Sequence, residues 1–446
     1  MRIIQALGWY FPESIGGTEV YVQGLSARLT DTGHEVFIAA PDAGAESERE
    51  YEHKGLRVYR YPIPDRPSRE ECQGLVSVRG AERFRKWMDV LQPNVVHFHT
   101  FVTGMGVWEL EAARATGARV VVTSHTSSLG YICQRGTMMR WGTYLCDGIC
   151  RPAKCAACAL QSRGMPRAGA LAIGSFPPWL GRLARPFPGS FATALGMSDL
   201  IDRNRRAQLR VMATAERFVA LTEWGRKALE ANGAPPEKVI VNRLGLSQTQ
   251  WRRKPGPESS PTRRPVTVGY LGRFEPVKGV LDFARAIAAL PPDVQIDCEF
   301  RGPLRTTDEM SLYDQARALL NGSKRVRFAP AVEPAESMRV LAGYDVLCCP
   351  SICLEGGPTV AIEAHAVGTP VIGSRIGGLA ELVTDGVNGE LFQPGDWKAL
   401  SQCLRRIAED PQSTVDRWRG SLPGVRTMDQ IAADYLAIYE GACDPA

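Results

Sequence analysis

Short apolar runs alternate with amphipathic stretches along most of the chain. Residues 3–7 read as a strand, a glycine-containing loop follows, and the spacing over 18–29 is helical. Gly33 suits the end of that helix, and 35–40 form the next strand. Runs at 95–99, 119–124, 218–221 and 239–241 continue the series, with a helical stretch between the first two. Residues 252–265 break it with proline, glycine, serine and arginine, a linker composition. The alternation then restarts with strand runs at 266–271, 295–301, 326–328, 345–349, 370–372 and 389–392. Strands alternating with helices predict parallel sheets covered by helices on both faces. The expected fold is therefore α/β, with two Rossmann-like domains facing across a cleft. The expected boundaries are 1–250, a linker at 251–265, a second domain at 266–425, and a C-terminal helix at 426–446 that can cross back to the first domain. Residues 126–200, rich in Cys, Gly, Pro, Arg and Trp, show no clear period and read as an insertion.

The 446-residue length exceeds one ordinary core and agrees with two or three domains. Apolar content of 44% and charged content of 23% are those of a soluble globular chain. A net charge of +5 gives no argument for nucleic acid, but it suits an anionic ligand or an anionic membrane surface. The chain opens directly into a strand and holds no apolar run of about 18 residues. A cytoplasmic protein, peripheral to the inner membrane face at most, is the expectation. In that compartment twelve cysteines point to metal or burial rather than disulfides.

The most informative stretch runs from Ser351 to Thr384. In it Glu355 and Glu363 bracket Gly356, Gly357, Pro358 and Thr359. Proline suits a first helical position, so Glu355 falls in the preceding loop and Glu363 inside the helix. Unpaired N–H groups at such a helix start attract an anion. A phosphate held there has one carboxylate on each side to grip hydroxyls, which is the chemistry of a nucleotide sugar. After the first strand of the second half come Arg273 and Lys278, a forked donor and a compact charge that together can neutralise a diphosphate. Alone the pair would read as a solvated loop; beside the two glutamates it reads as a clamp in place of a divalent cation. No Asp-x-Asp is present, and Asp297-Cys298-Glu299 falls inside a strand run. No catalytic metal is expected.

These pieces resemble, in order and spacing over residues 266–410, the nucleotide-sugar domain of the large retaining, metal-independent GT-B glycosyltransferase family, group 1. The matching segments are 272–279, the Glu355-x7-Glu363 motif, 368–372 and 377–383. The resemblance implies that Arg273 and Lys278 bind the diphosphate, Glu363 holds the ribose hydroxyls, and Glu355 contacts the transferred sugar. After Glu355 this chain has Gly-Gly-Pro-Thr where many members have Gly-Phe-Gly. The implied activity is transfer of a sugar from a UDP- or GDP-type donor to a hydroxyl of a sugar, lipid-linked or small-molecule acceptor, in cell-surface polysaccharide or glycolipid synthesis. An epimerase or phosphorylase on the same scaffold, or a zinc-stabilised binding protein, are the competing readings. A dehydrogenase is disfavoured because no Gly-x-Gly-x-x-Gly follows the first strand.

In the first half, Gly16 and Gly17 open the first helix, either as a simple turn or, as the resemblance implies, as a glycine loop at the donor. Glu19 reads as a helix first-turn residue. His97 and His99 share a strand face, a spacing that can bind metal but better fits hydrogen-bonded packing. His125 ends a strand, and the resemblance implies contact with the donor sugar, although Thr126 follows where the family usually has Asp. Cys133, Cys146, Cys155 and Cys158, with Cys150 as an alternative ligand, have the spacing of a structural zinc site. Buried free thiols or a redox pair are the alternatives. Aromatics and arginines mix between Phe176 and Phe187, which suits either contact with a membrane or lipid-linked acceptor, or a packed loop.

Overall fold

The computed structural model describes all residues except Ile15, Thr126, Ser127, 247–263 and 442–446, and the side chain of Pro334. The polar linker lies almost wholly outside the described residues. The chain forms two compact units. One comprises Met1–Trp141, Cys146–Arg243 and the chain from Met428 onward; the other comprises Leu244–Thr427 with the short stretch Gly142–Leu145.

In the first unit eight strands make one sheet. Its order is Val239–Val241, Arg217–Ala220, Arg119–Ser124, Val95–Phe98, Arg2–Ala6, Glu35–Ala43, Leu56–Ile63 and Arg49–His53. All neighbours are parallel except the last pair, a hairpin at one edge. That hairpin is absent from the sequence expectation: Arg49–His53 is largely exposed and carries charge at most positions, so no apolar alternation marks it. The helix Met428–Glu440 packs within this unit, where Arg28 donates to Asp429 at 3.0 Å and Arg119 to the Tyr439 carbonyl at 2.9 Å. The aperiodic region also resolves into order: helices run over Pro152–Ser162, Arg167–Gly174, Pro178–Arg182 and Ser190–Leu195. Their shortness and their prolines explain why no helical period was visible.

The second unit is a six-stranded parallel sheet ordered Val326–Ala329, Ile296–Arg301, Val266–Leu271, Val346–Cys349, Val371–Ser374 and Gly389–Phe392. Strands such as Val346–Cys349 are buried throughout because helices cover both faces, which is why they read as unbroken apolar runs. The chain moves outward in one direction through the first three strands, then restarts beside the first of them and moves the other way. The reversal lies between Val266–Leu271 and Val346–Cys349, which pair directly. Loops leaving the carboxyl ends of two such strands diverge and open a crevice, the usual ligand position in open α/β sheets.

Gly279 shows how tightly the two loops at this reversal approach. It adopts φ +69°, and a Cβ built on it would sit 1.9 Å from the Pro350 carbonyl oxygen. The Ile352 N–H donates to the Val277 carbonyl at 2.8 Å across the same gap. We expect Gly279→Ala to destabilise the protein by more than about 1 kcal/mol, because both the conformation and the space exclude a side chain. A melting temperature equal to that of the parent would show that the loops are not so held.

Candidate active site

The reversal point of the second unit gathers the residues singled out in its sequence. Gly272 to Gly279 leave the carboxyl end of Val266–Leu271; Ser351 to Pro358 leave that of Val346–Cys349. Lys278 and Glu355 meet between them, with Nζ 2.5 Å from Oε1. Ser351 Oγ also donates to Glu355 Oε1 at 3.2 Å, and the Cys353 thiol lies 3.6 Å away. Burial works against the Lys278 ammonium, but the Glu355 carboxylate outweighs it and raises the pKa above that of an ordinary lysine. Lys278 is therefore held charged. Arg273 is near enough for its charge to act on Lys278, yet its guanidinium is well exposed and pairs with Glu275 at 2.6 Å.

The helix Thr359–Val367 starts one residue later than expected, with Pro358 as its N-cap and no side chain capping it. Gly357 and Gly378 are needed where they stand. Gly357 has φ +140°, and a Cβ on Gly378 would lie 2.6 Å from the Gly357 Cα. The Gly378 N–H donates to the Glu355 carbonyl at 2.9 Å, so the second glycine pair fixes the loop that carries the carboxylate. Glu363 lies on the first turns of this helix, largely buried. Burial raises its carboxyl pKa and a hydrogen bond from Ser337 partly offsets this. Glu299, in the sequence Asp-Cys-Glu, is neutralised inside the sheet by Arg301 at 2.7 Å, by Arg327, and by the Tyr344 hydroxyl at 2.7 Å, a structural role.

In the first unit, Gly16 is the extended N-cap of the helix Gly17–Asp31, and no side-chain cap is present among the described residues. Glu19 is buried in the first turn and accepts from Ser14 Oγ at 2.6 Å. His125 follows the carboxyl end of Arg119–Ser124; Thr126 lies outside the described residues. The environment of His125 was not legible in the sequence, because the chain of partners comes from three distant segments. His125 Nε2 is 2.9 Å from His99 Nδ1, and His99 Nε2 is 2.7 Å from Gln5 Oε1. Gln5 Nε2 donates to the Tyr439 hydroxyl at 3.3 Å; that hydroxyl is 2.7 Å from His97 Nδ1, and His97 Nε2 is 2.7 Å from Thr123 Oγ1. An amide oxygen cannot donate, so His99 carries its proton on Nε2 and accepts at Nδ1. His125 then holds its proton on Nε2 and has a bare Nδ1. His97 and His99 thus belong to a buried hydrogen-bond chain that ends on the C-terminal helix.

The four cysteines read as zinc ligands line one small cavity of about 30 Å³. They do not close on a common point: among the described residues no three His, Cys, Asp or Glu side chains gather closely enough to hold a metal ion. Cys155 instead shares a hydrogen bond with Cys150, which lowers the Cys155 pKa and raises that of Cys150. Lys154 Nζ lies 3.6 Å from the Cys146 sulfur. This arrangement gives the zinc reading no support. Elsewhere in the unit a cavity of about 750 Å³ lies beside the loops that leave Val95–Phe98 and Arg119–Ser124. Its walls include Phe101, Trp108, Tyr131, Arg163, Arg203 and Arg210.

Comparison with known proteins accounts for this arrangement. Residues 16–245 match the Glycosyl transferase 4-like domain, more than half of the chain, and residues 253–419 match Glycosyl transferases group 1. The chain belongs to this glycosyltransferase family, and its two α/β domains are of the GT-B kind. Among curated relatives, the D-inositol 3-phosphate glycosyltransferase of Geodermatophilus obscurus is 29% identical over 55% of this chain and 58% of its own length. The phosphatidyl-myo-inositol mannosyltransferase of Mycobacterium leprae is 26% identical over 95% of this chain and 93% of its own. The chain thus spans little more than half of the first of these relatives. Similar solved folds include sucrose-phosphate synthase from Thermosynechococcus elongatus (TM-score 0.64, 18% identity, 99% and 98% coverage). Anabaena HepE in complex with UDP and glucose is another (TM-score 0.61, 16% identity, 98% and 99% coverage).

The buried imidazoles have a consequence for stability. Burial holds His97 and His99 well below the ordinary histidine pKa and brings His125 down to about 3. A depressed folded-state pKa means that the unfolded chain takes up protons first, below about pH 6.5. Stability is therefore full above that pH and falls as the solution is acidified, by about 1.4 kcal/mol per pH unit for each of His97 and His99. Chemical denaturation at pH 7 and pH 5 should show this loss. Equal stability at the two values would mean that the chain of hydrogen bonds is absent.

Proposed function

We propose that this protein is a retaining hexosyltransferase whose second unit binds a UDP- or GDP-sugar without needing a divalent cation. The observation that carries this reading is the placement of Lys278, Arg273 and an uncapped helix start around one sheet reversal. Lys278, kept charged by Glu355, would take the diphosphate together with Arg273, which would exchange Glu275 for phosphate oxygens. The N–H groups near Gly357 and Thr359 add their dipoles. Glu363 is positioned to accept from ribose hydroxyls, and Glu355 to accept from a hydroxyl of the transferred sugar.

In the reaction the acceptor oxygen bonds to the anomeric carbon while that carbon's bond to the phosphate oxygen breaks. The acceptor proton passes to the departing diphosphate, and attack from the face being vacated retains configuration. His125, with its bare Nδ1, would accept a hydrogen bond from the sugar. The 750 Å³ cavity of the first unit is of the right size for a sugar or polyol acceptor. Aromatic rings there give stacking surfaces and the arginines give forked donors. The names of the curated relatives suggest a polyol or glycolipid acceptor, used in building cell-surface polysaccharide or glycolipid.

Lys278→Ala and Arg273→Ala should each lower nucleoside-diphosphate release from the preferred donor by about 10²–10³, the range for loss of one charge-stabilising donor. Substitution of the exposed Arg273 should do so with an unchanged melting temperature, whereas Lys278→Ala should also lower it by leaving Glu355 unpaired. A panel of UDP- and GDP-sugars assayed by release of the nucleotide tests this. Wild-type turnover in either variant would refute the clamp.

A further inference from the structure

Residues 148–198 contain Arg151, Lys154, Arg163, Arg167, Arg182 and Arg185 but neither aspartate nor glutamate. Asp147 and Asp199 close the acid-free span on either side. Over Trp179 to Ala194 the usual partition of side chains is reversed. Trp179, Leu183, Phe187 and Phe191, spaced four residues apart, are 65%, 63%, 63% and 71% exposed. The residues that pack inward are small: Gly181, Ala184, Ala192 and Ala194. A segment that presents its tryptophan and phenylalanines to water and buries its glycine and alanines loses about 1.5–3 kcal/mol of burial per large side chain. Such exposure in a row marks an interaction surface rather than scattered surface apolar residues.

Charge identifies the partner. Arg182 and Arg185 both reach Asp199, at 3.8 and 2.6 Å, and Arg203 reaches the same carboxylate at 3.2 Å. Three guanidiniums on one carboxylate leave positive charge beside the exposed rings. Large apolar side chains flanked by arginines that outnumber the one carboxylate they share fit a layer that is apolar beneath and anionic at its surface. The helices Pro178–Arg182 and Ser190–Leu195 are too short to cross a bilayer, and no helix among the described residues is long and apolar enough to do so. They can lie in the headgroup region, where tryptophan and arginine are favoured.

We propose that Trp179, Leu183, Phe187 and Phe191, with the arginines around them, dock this protein onto an anionic phospholipid bilayer. Trp179, Leu183, Phe187 and Phe191 line neither the donor site nor the 750 Å³ cavity, although Arg163, Thr193 and Arg203 beside them do line that cavity. The test therefore varies only the apolar residues and stands or falls separately from the transfer reaction. It places the first unit at a membrane surface and allows an acceptor drawn from that surface.

The test is co-sedimentation of the full chain with vesicles of phosphatidylcholine containing phosphatidylglycerol, compared with phosphatidylcholine alone. Binding should require the anionic lipid and weaken as salt rises, and the tryptophan emission should shift to the blue. The double variant Trp179→Glu, Phe187→Glu should bind at least about tenfold more weakly, with an unchanged melting temperature and unchanged nucleotide binding. Failure of the parent to bind anionic vesicles, or equal binding by the variant, overturns the proposal. So does a parent that self-associates in sedimentation velocity and a variant that does not, since the surface would then serve a second copy of the chain.

Discussion

The ion pair between Lys278 and Glu355 joins the two loops on which the second unit's chemistry depends. It spans the point where strand order reverses, so each partner arrives on a different strand, and the loops are pulled together at 2.5 Å. The pair has two effects at once. It keeps a half-buried ammonium charged against the cost of burial, and it holds a carboxylate beside that charge. Glycines make the approach feasible: Gly279 passes under the Pro350 carbonyl, and Gly378 lies against Gly357. A side chain at either place would open the crevice that the charges are meant to line.

The first unit solves a different problem. Its histidine at a strand end carries no charge partner; it is oriented by neutral hydrogen bonds that pass from His99 through Gln5 to Tyr439 and His97. Once the Gln5 amide is placed, the senses of the His99 and His125 hydrogen bonds follow, and burial keeps the imidazoles uncharged. The C-terminal helix supplies Tyr439, which ties the last described segment of the chain to the first strand. A neutral, directionally fixed imidazole is suited to hydrogen bonding with hydroxyls rather than to proton abstraction.

Most of the parallel strands were legible in the sequence because apolar runs such as 266–271 and 389–392 need no partner to declare themselves. Leu56–Ile63, which pairs in parallel with Glu35–Ala43 and is interrupted by Arg57 and Arg60, was not among them. Glu355, Glu363, Arg273 and Lys278 could be singled out for a related reason: short spacings along a strand–loop–helix unit mark their positions. Three further features were not legible. The hairpin strand Arg49–His53 is polar and lies at a sheet edge, so no apolar alternation reveals it. The helices between Pro152 and Leu195 are broken by proline and bury small residues, which removes the usual amphipathic signal. The partners of His125 depend on tertiary contacts that no local pattern encodes. The cysteine spacing suggested a metal, yet the sulfurs face one cavity without converging.

The central claim is that fixed cationic side chains, rather than a bound divalent ion, meet the diphosphate of the donor. Calorimetric titration of UDP and GDP into the metal-stripped protein in the presence of EDTA tests it most directly. The account predicts full-strength binding of at least one of these nucleotides, unchanged when magnesium or manganese is then added in excess. Binding that appears only on addition of the cation would contradict it.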